Sequence, residues 1–412
     1  MRRVPRILLR ALALSAFLAL PPATAGRVTD TINVAPQPSG NTAGCRLPAT
    51  TGWHDEGIST DFDIFLRPTG SLAAVMLFVE FPDAPISEAP PEWQTADSYL
   101  DIHRVGADWL RRASYGRVDV TITPVARWYR MSQSSWAYGM DRAVTFEQHA
   151  AYLAEAVALA DADVNFASYD IVYVVAGPNA FGIRNSPAYI DASDSRIRAD
   201  GVAIEHGATF GTDVWNWLPE YRPLVLVHET AHVFSLPDLY AFSGDPHRFV
   251  AGWDVMGDLA GAAPGPLAWH RWKLRWIGTT QVACLARPGE YVVRLRAVEV
   301  RRGTKLAVIP TGPTTAYVVE SRRRIGLDAE ACSTGVLVYR VDSGIETGTG
   351  PVRVVDSTLG DAETARCRDL DIATFGAGSR PSTFRDRAAG IRITVVRRDG
   401  SLDVVRVRIA SR

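Results

Sequence analysis

The stretch HETAHVFSLPD, residues 228–238, decides how the rest of this 412-residue chain is interpreted. Residues four apart share one face of a helix, so the imidazoles of His228 and His232 can hold the same metal ion. Glu229 can reach a water molecule at that ion without being a ligand itself. Pro237 ends the helix, because it lacks an N–H group and disfavours helical geometry in the residue before it. The chain must therefore bend soon after His232.

The bend bears on the third ligand, because catalytic zinc usually takes three protein ligands and leaves one position open. A glutamate on a later helix is one source, but no glutamate occurs between residues 233 and 289. The other source is the residue six positions after the second histidine, which here is Asp238. The bend at Pro237 can bring this side chain back toward the ion. The alternative ligands are Asp245, His247 and Asp254.

A methionine in a tight turn is expected below a metal site of this spacing. The segment GWDVMG, residues 252–257, places Met256 where such a turn would fall. A single methionine is otherwise a flexible residue that fills gaps in a core. Together with Asp238 and the break at Pro237, the segment favours a zinc site over a buried helix with two hydrogen-bonded histidines.

The run of residues 228–240 resembles the immune inhibitor A-like secreted metallopeptidases, which are metzincins. Four further segments are similar to landmarks of that family and occur in the family's order: VEFPD (79–83), SYGR (114–117), FASYD (166–170) and WDVMG (253–257). The resemblance covers about residues 70 to 280. The family usually has glycine where this chain has Ser235, and glycine adopts positive φ more easily.

The resemblance implies a zinc-dependent endopeptidase with one catalytic zinc ion. The ligands would be His228, His232 and Asp238, and Glu229 would act as general base. Met256 would lie in the turn below the ion, and Tyr240 is a candidate oxyanion donor. Calcium is a second conceivable ion, but nothing in the sequence supports it. The expected fold is an α/β (α+β) metzincin-like catalytic domain with a mixed sheet and a zinc-binding helix, followed by an all-β sandwich-like domain.

The chain is expected to contain four segments. Residues 1–25 have the basic start, the apolar core and the A-x-A site (residues 23–25) of a signal peptide, and the apolar run is too short to span a membrane. Residues 26–70 are predicted as a mature leader, and residues 71–279 as the zinc metallopeptidase domain. Residues 280–412 contain short β-branched runs that are typical of a sandwich or small barrel. We expect a secreted, extracellular protein without a stable membrane anchor.

Export makes disulfides possible for the four cysteines, which allow three pairings. Proximity in the sequence favours Cys332 with Cys367 inside the tail, and Cys45 with Cys284 at the domain junction. An alternative is that Cys45 caps the zinc ion and keeps the enzyme latent.

Local patterns predict buried strands at 72–81 and 169–176, a helix over 97–114, and a helix opened by the capping box TFEQ at 145–148. Residues 201–210 are either a sheet edge that pairs with extended substrate or an ordinary strand or loop. The three consecutive arginines at 322–324 predict a solvent-exposed edge.

Composition narrows the choice of partner. The chain is 47% hydrophobic and 22% charged, which is ordinary for a globular protein, and its net charge of −1 offers no argument for nucleic acid. The expected partner is a protein or peptide substrate, and the oligomeric state stays open.

Two other functions are a binding or adhesion protein that has lost turnover, and a zinc hydrolase of a non-protein substrate. Glu229 counts against the first of these, because an inactive site has no use for a base.

Overall fold

The computed structural model describes residues 41–50, 54–191, 196–358, 367–378 and 381–411. The expected signal peptide and the first part of the expected leader lie outside these residues. Within the described ranges, no helix combines the length and the apolar character that a membrane span requires.

The first sheet is built from the N-terminal half of the described chain. Its strands are β1 (Gly70–Glu80), β2 (Val118–Arg130), β3 (Ile171–Ala176), β4 (Ala188–Ile190) and, after a ribbon of β5 (Arg198–Ala199) and β6 (Val202–Ala203), β7 (His206–Phe210). The strand order is β2-β1-β3-β7-β4, and in this sheet only β4 runs antiparallel to its neighbour. Of the two alternatives for residues 201–210, the sheet edge is wrong and the ordinary strand is found, because β7 lies between β3 and β4. The short strand β4 is the edge.

Helices cover both faces of this sheet. They are α1 (Ala96–Ala113) and α3 (Arg222–Val233) on one face and α2 (Phe146–Ala160) on the other. A short helix, α4 (Ala268–Lys273), follows later in the chain. Successive residues of a strand point to opposite faces, and Met76 of β1 packs in the core shared with α1 and α3. Leu77 packs in the core shared with α2. The nearly continuous apolar run of β1 is therefore the pattern of a strand buried between two helical layers.

The start of α2 shows how a local signal fixes a helix boundary. The hydroxyl of Thr145 accepts a hydrogen bond from the backbone N–H of Gln148 at 3.2 Å. In return the Gln148 side-chain oxygen accepts from the backbone N–H of Thr145 at 2.9 Å. The predicted capping box is confirmed, and so is the predicted helix over 97–114, which is α1.

Two further sheets are built from the second half of the described chain. One contains β8 (Val282–Cys284), β10 (Leu306–Pro310), β11 (Thr315–Arg322), β12 (Gly335–Asp342) and β13 (Val352–Val354), and the other contains β9 (Gly289–Arg296), β14 (Thr383–Asp386), β15 (Ile391–Asp399) and β16 (Leu402–Ile409). Their strand orders are β13-β12-β11-β10-β8 and β14-β15-β16-β9. Inward side chains such as Val319 of β11 and Val405 of β16 belong to one hydrophobic core. The two sheets are therefore held together by shared apolar burial.

Both predicted disulfides are present. Cys45 is bonded to Cys284, and Cys332 is bonded to Cys367. The alternative in which Cys45 caps a metal ion is wrong, because the Cys45 sulfur forms a disulfide bond with Cys284 and therefore cannot act as a thiolate ligand.

The described part of the expected leader is bonded to α4 and the turn after it. The indole N–H of Trp269 donates to the Glu56 carbonyl at 3.1 Å, and the Lys273 ammonium donates to the Gly57 carbonyl at 2.8 Å. The indole N–H of Trp276 donates to the Pro68 carbonyl at 2.8 Å. Because these donors are themselves buried, residues 56–68 are an integral layer of the fold.

The arginine run at 322–324 is not a solvent-exposed edge. The Arg322 guanidinium is fully buried, 2.9 Å from the Glu320 carboxylate and 2.8 Å from that of Asp328. Arg323 is nearly buried and pairs with Asp403 at 2.7 Å, and only Arg324 is exposed. The prediction failed because carboxylates elsewhere in the chain compensate the charge of the first two arginines.

The two disulfides close loops of very different length, with sequence separations of 239 and 35 residues. Closing a longer loop removes more conformational entropy from the unfolded chain. We therefore expect the Cys45→Ala/Cys284→Ala variant to lose about 2–5 kcal/mol in the free energy of unfolding. The matched Cys332→Ala/Cys367→Ala variant should lose less. Urea unfolding followed by tryptophan fluorescence measures both, and an equal or larger loss for the second pair would contradict this account.

Candidate metal centre

The site begins with a sharp chain reversal at the end of α3. The N–H of Ser235 donates to the His232 carbonyl at 2.8 Å, and the N–H of Leu236 donates to the Ala231 carbonyl at 2.9 Å. These two bonds are the pattern of a Schellman motif, which requires a left-handed residue just after the helix. Ser235 is that residue, with φ of 89°. The position where the family usually has glycine thus has the backbone conformation that glycine favours.

The reversal brings the three expected ligands together. The Nε2 atoms of His228 and His232 lie 3.0 Å and 3.2 Å from the same oxygen, Oδ1 of Asp238. The three side chains are 10%, 11% and 13% exposed, so the cluster is shielded but can be reached from solvent. Among the residues that the structure describes, this is the one group of histidine, cysteine and acidic side chains with metal-binding spacing.

Both imidazoles are oriented by backbone carbonyls. Nδ1 of His228 lies 3.2 Å from the carbonyl of Val255, and Nδ1 of His232 lies 2.7 Å from the carbonyl of Leu236. A carbonyl only accepts, so each Nδ1 carries the proton and donates it. In each neutral imidazole the lone pair is then on Nε2, which faces Asp238. This is the tautomer and the outer support that metal-binding histidines use.

Two imidazole nitrogens and a carboxylate oxygen fit the donor preferences of zinc. The charges of the cluster also fit a cation. Burial disfavours protonation of His232, but Asp238 outweighs it and raises the His232 pKa to about 9. Burial likewise opposes ionisation of Asp238, but His232 and His228 hold its pKa below the ordinary value. Asp238 is thus a carboxylate that pairs with the proton on His232, and a metal cation would take the place of that proton.

Glu229 follows the first ligand on α3 and is 8% exposed. Burial raises the pKa of its carboxyl to about 7, and this rise is opposed by His228 and His232. A carboxyl that titrates near neutral pH can both take and return a proton under ordinary conditions. The structure therefore gives Glu229 the electrostatic environment of a general acid–base group beside the ligand cluster.

The turn that contains Met256 lies directly against the third ligand's segment. The Met256 carbonyl accepts from the N–H of Leu239 at 2.9 Å and from that of Tyr240 at 3.3 Å. Its neighbour Val255 provides the carbonyl that orients His228. Met256 itself is fully buried. The turn is thus hydrogen-bonded both to the side chain of His228 and to the backbone just after Asp238.

Tyr240 lies beside the cluster, with its ring centroid 6.1 Å from that of His228. Burial raises the pKa of its phenol, so the hydroxyl keeps its proton. On its other side the Tyr240 ring contacts Phe242, whose ring is 5.5 Å away and 58% exposed. Tyr240 therefore has the position and protonation state of a hydrogen-bond donor at the edge of the site.

The alternative ligands have other partners. Asp254 accepts from the N–H groups of Met256 and Leu267 and lies 2.7 Å from Nδ1 of His270. The Asp245 carboxylate accepts from the N–H of His247 at 3.0 Å. Within the described residues, the structure does not bring these side chains into the cluster with His228 and His232.

Sequence reasoning missed the residues that support the site from a distance. His270 lies between Asp254 and Glu56, whose carboxylate is 3.0 Å from its Nε2, and all three are buried. His54 donates through Nε2 to the His232 carbonyl at 3.1 Å. Burial and the neighbouring His232 lower the His54 pKa to about 3, so the ring is neutral. No local spacing signals these contacts, because each joins residues far apart in the chain.

No protein-family model matches this chain, and no curated protein matches it with significance.

The buried His270 predicts a specific pH dependence of stability. Burial alone would lower its pKa, but Asp254 and Glu56 outweigh burial and raise it to about 10. The ordinary value in an unfolded chain is about 6.5. The stabilisation from the charged imidazole is therefore complete below about pH 6.5 and is lost as the pH rises through about 10.

We expect His270→Gln to lower the free energy of unfolding by about 3–5 kcal/mol near pH 6, because two buried carboxylates lose their cation. The difference between wild type and variant should shrink steadily from pH 6.5 to pH 10. Urea unfolding of metal-free protein at several pH values measures it. A difference that stays constant across this range would refute the charged state of His270.

Proposed function

We propose that this protein is a secreted zinc endopeptidase of the metzincin type, similar to the immune inhibitor A-like metallopeptidases. The observation that carries the proposal is the convergence of His228, His232 and Asp238 with both Nδ1 atoms fixed by carbonyls. Glu229, next to the first ligand and with its pKa raised toward neutrality, supplies the base that peptide hydrolysis requires.

In this proposal His228, His232 and Asp238 hold one zinc ion. Zinc in such a site acts as a Lewis acid on the scissile carbonyl and lowers the pKa of a water molecule. Glu229 takes a proton from the attacking water and later gives it to the leaving amine. Tyr240 donates a hydrogen bond to the developing oxyanion. The carbonyls of Val255 and Leu236 accept hydrogen bonds from the two Nδ1 atoms and so keep the orientation of the imidazoles fixed.

The proposed fold assignment follows the same division of the chain. Residues 71–279 would be the metzincin-like domain, with α3 as the zinc-binding helix against a mixed sheet. Residues 280–412 would be the sandwich-like domain, supported by two sheets that share one apolar core. Two disulfides fit an extracellular location, since such bonds persist in oxidising compartments.

We expect purified protein to bind one zinc ion per chain and to cleave denatured casein, with activity lost to a zinc chelator. Glu229→Ala should lower the turnover rate by at least about 10²–10⁴-fold, the usual contribution of a general base. The same variant should keep its zinc, because Glu229 is not a ligand. Zinc content by elemental analysis and casein cleavage by a fluorescence assay measure the two effects.

The matched control is Glu220→Ala, at an exposed glutamate just before α3, which should leave both zinc content and turnover unchanged. Wild-type protein without equimolar zinc would refute the metal site. Protein that binds zinc but cleaves neither casein nor a peptide library would refute the peptidase. That result would favour a zinc hydrolase of another substrate or a binding protein.

A further inference from the structure

The turn between β12 and β13, residues 343–351, reaches the segment that contains the third ligand. The Thr347 hydroxyl accepts from the backbone N–H of Asp238 at 2.8 Å. The N–H of the next residue, Gly348, donates to the Asp238 carbonyl at 3.1 Å. Both backbone polar groups of Asp238 are thus bonded to the β12–β13 turn, which lies more than a hundred residues away in the chain.

These bonds matter because Asp238 does not belong to a helix or a strand. His228 and His232 are held by the backbone of α3, whereas Asp238 lies beyond the chain reversal, where no regular ladder fixes it. A carboxylate can complete a metal site only if its backbone is held within a fraction of an ångström. The β12–β13 turn supplies the two hydrogen bonds that a helix or sheet would otherwise provide.

The contact continues along the chain to Phe242. The N–H of Phe242 donates to the Gly348 carbonyl at 3.0 Å. Residues 238–242 are therefore hydrogen-bonded to the β12–β13 turn at both of their ends, at Asp238 and at Phe242. Gly348 has φ of 68°, and a Cβ at this position would lie 2.3 Å from the Phe242 ring. A side chain there would push the two segments apart. Glycine allows the close approach on which the bonds to Asp238 depend.

The turn is fixed at its own base. The N–H of Asp342 donates to the Pro351 carbonyl at 2.8 Å, which closes the turn, and the N–H of Ser343 donates to the Thr314 carbonyl at 2.9 Å. The N–H of Val354 in β13 donates to the Phe249 carbonyl at 2.8 Å, which joins the strand to the loop after Asp238. These bonds fix the turn to the sheet that contains β12 and β13. The turn therefore restricts the movement of residues 238–242.

We propose that Thr347 is a positioning residue for Asp238, so that the β-rich part of the chain completes the metal centre. This inference rests on the proposed zinc site and deepens it. It assigns the β12–β13 turn a role in metal binding and makes the metal affinity depend on a hydroxyl that is not itself a ligand. Loss of such an outer partner typically lowers metal affinity by about 10–100-fold.

The test compares four variants of the full chain by zinc competition with a chromophoric chelator. Thr347→Val, which keeps the side-chain shape and removes the acceptor, should bind zinc about 10–100-fold more weakly. Thr347→Ser, which keeps the hydroxyl, should restore affinity to near the wild-type value. The matched control is Thr349→Val in the same turn, whose hydroxyl donates to the exposed carbonyl of Glu346 at 2.7 Å, and it should bind zinc as wild type does. Thr347→Ala should bind zinc as weakly as Thr347→Val, and it replaces the valine variant in the comparison if that variant does not fold.

A double-mutant cycle separates positioning from general stability. In a background of Asp238→Ala, where the third ligand is absent, Thr347→Val should cause no further loss of zinc affinity. An equal loss in both backgrounds, or wild-type affinity in Thr347→Val, would overturn the inference. Failure of the proposed function has a different signature, because wild-type protein would then bind no equimolar zinc or would bind zinc and cleave no peptide.

Discussion

The structure depends on one backbone reversal, the left-handed turn at Ser235 that ends α3. Without it the chain would leave the helix in the wrong direction, and Asp238 would not meet the two imidazoles within 3.2 Å. A non-glycine residue in this conformation costs about 1–2 kcal/mol. Two backbone bonds of the Schellman motif and the contact of the Ser235 hydroxyl with that of Thr60 at 3.3 Å offset this cost. The strained residue is what allows the turn to place Asp238 against His228 and His232.

Three distant parts of the chain hold that turn and its ligands in place. The N-terminal segment of residues 54–68 contributes His54, which donates to the His232 carbonyl, and Glu56, whose carboxylate lies 3.0 Å from Nε2 of His270. The turn of Met256 contacts both ligand segments and is fixed by Asp254, the other neighbour of His270. The β12–β13 turn holds the backbone of Asp238. The proposed metal centre is therefore assembled by long-range contacts, and the parts of the chain before and after residues 71–279 contribute to it directly.

This assembly explains which features could be predicted from the sequence. The two histidines, the helix they share and the break at Pro237 are local, and the capping box at Thr145 is local too, so residue spacing contains the information. Asp238 could be named as a member of the cluster because it lies at a fixed offset from His232 along the chain. Glu56, His54 and Thr347 could not, since nothing near them in the sequence marks their partners. The error at Arg322 has a different cause. Glu320 and Asp328 lie close to Arg322 in the sequence, but consecutive charges alone predict exposure and do not show that these carboxylates form a buried counterpart.

The charge balance of the cluster of His228, His232 and Asp238 fits a cation. Asp238 is ionised in a shielded site, and an isolated buried charge is costly unless a positive group compensates it. Without an ion, the proton on His232 plays that part, which is why the His232 pKa lies above its ordinary value. The nearby His54 cannot take over the positive charge, because burial keeps it neutral and its Nε2 proton is committed to a carbonyl. A divalent cation at the imidazole nitrogens would neutralise Asp238 and take the place of the proton on His232.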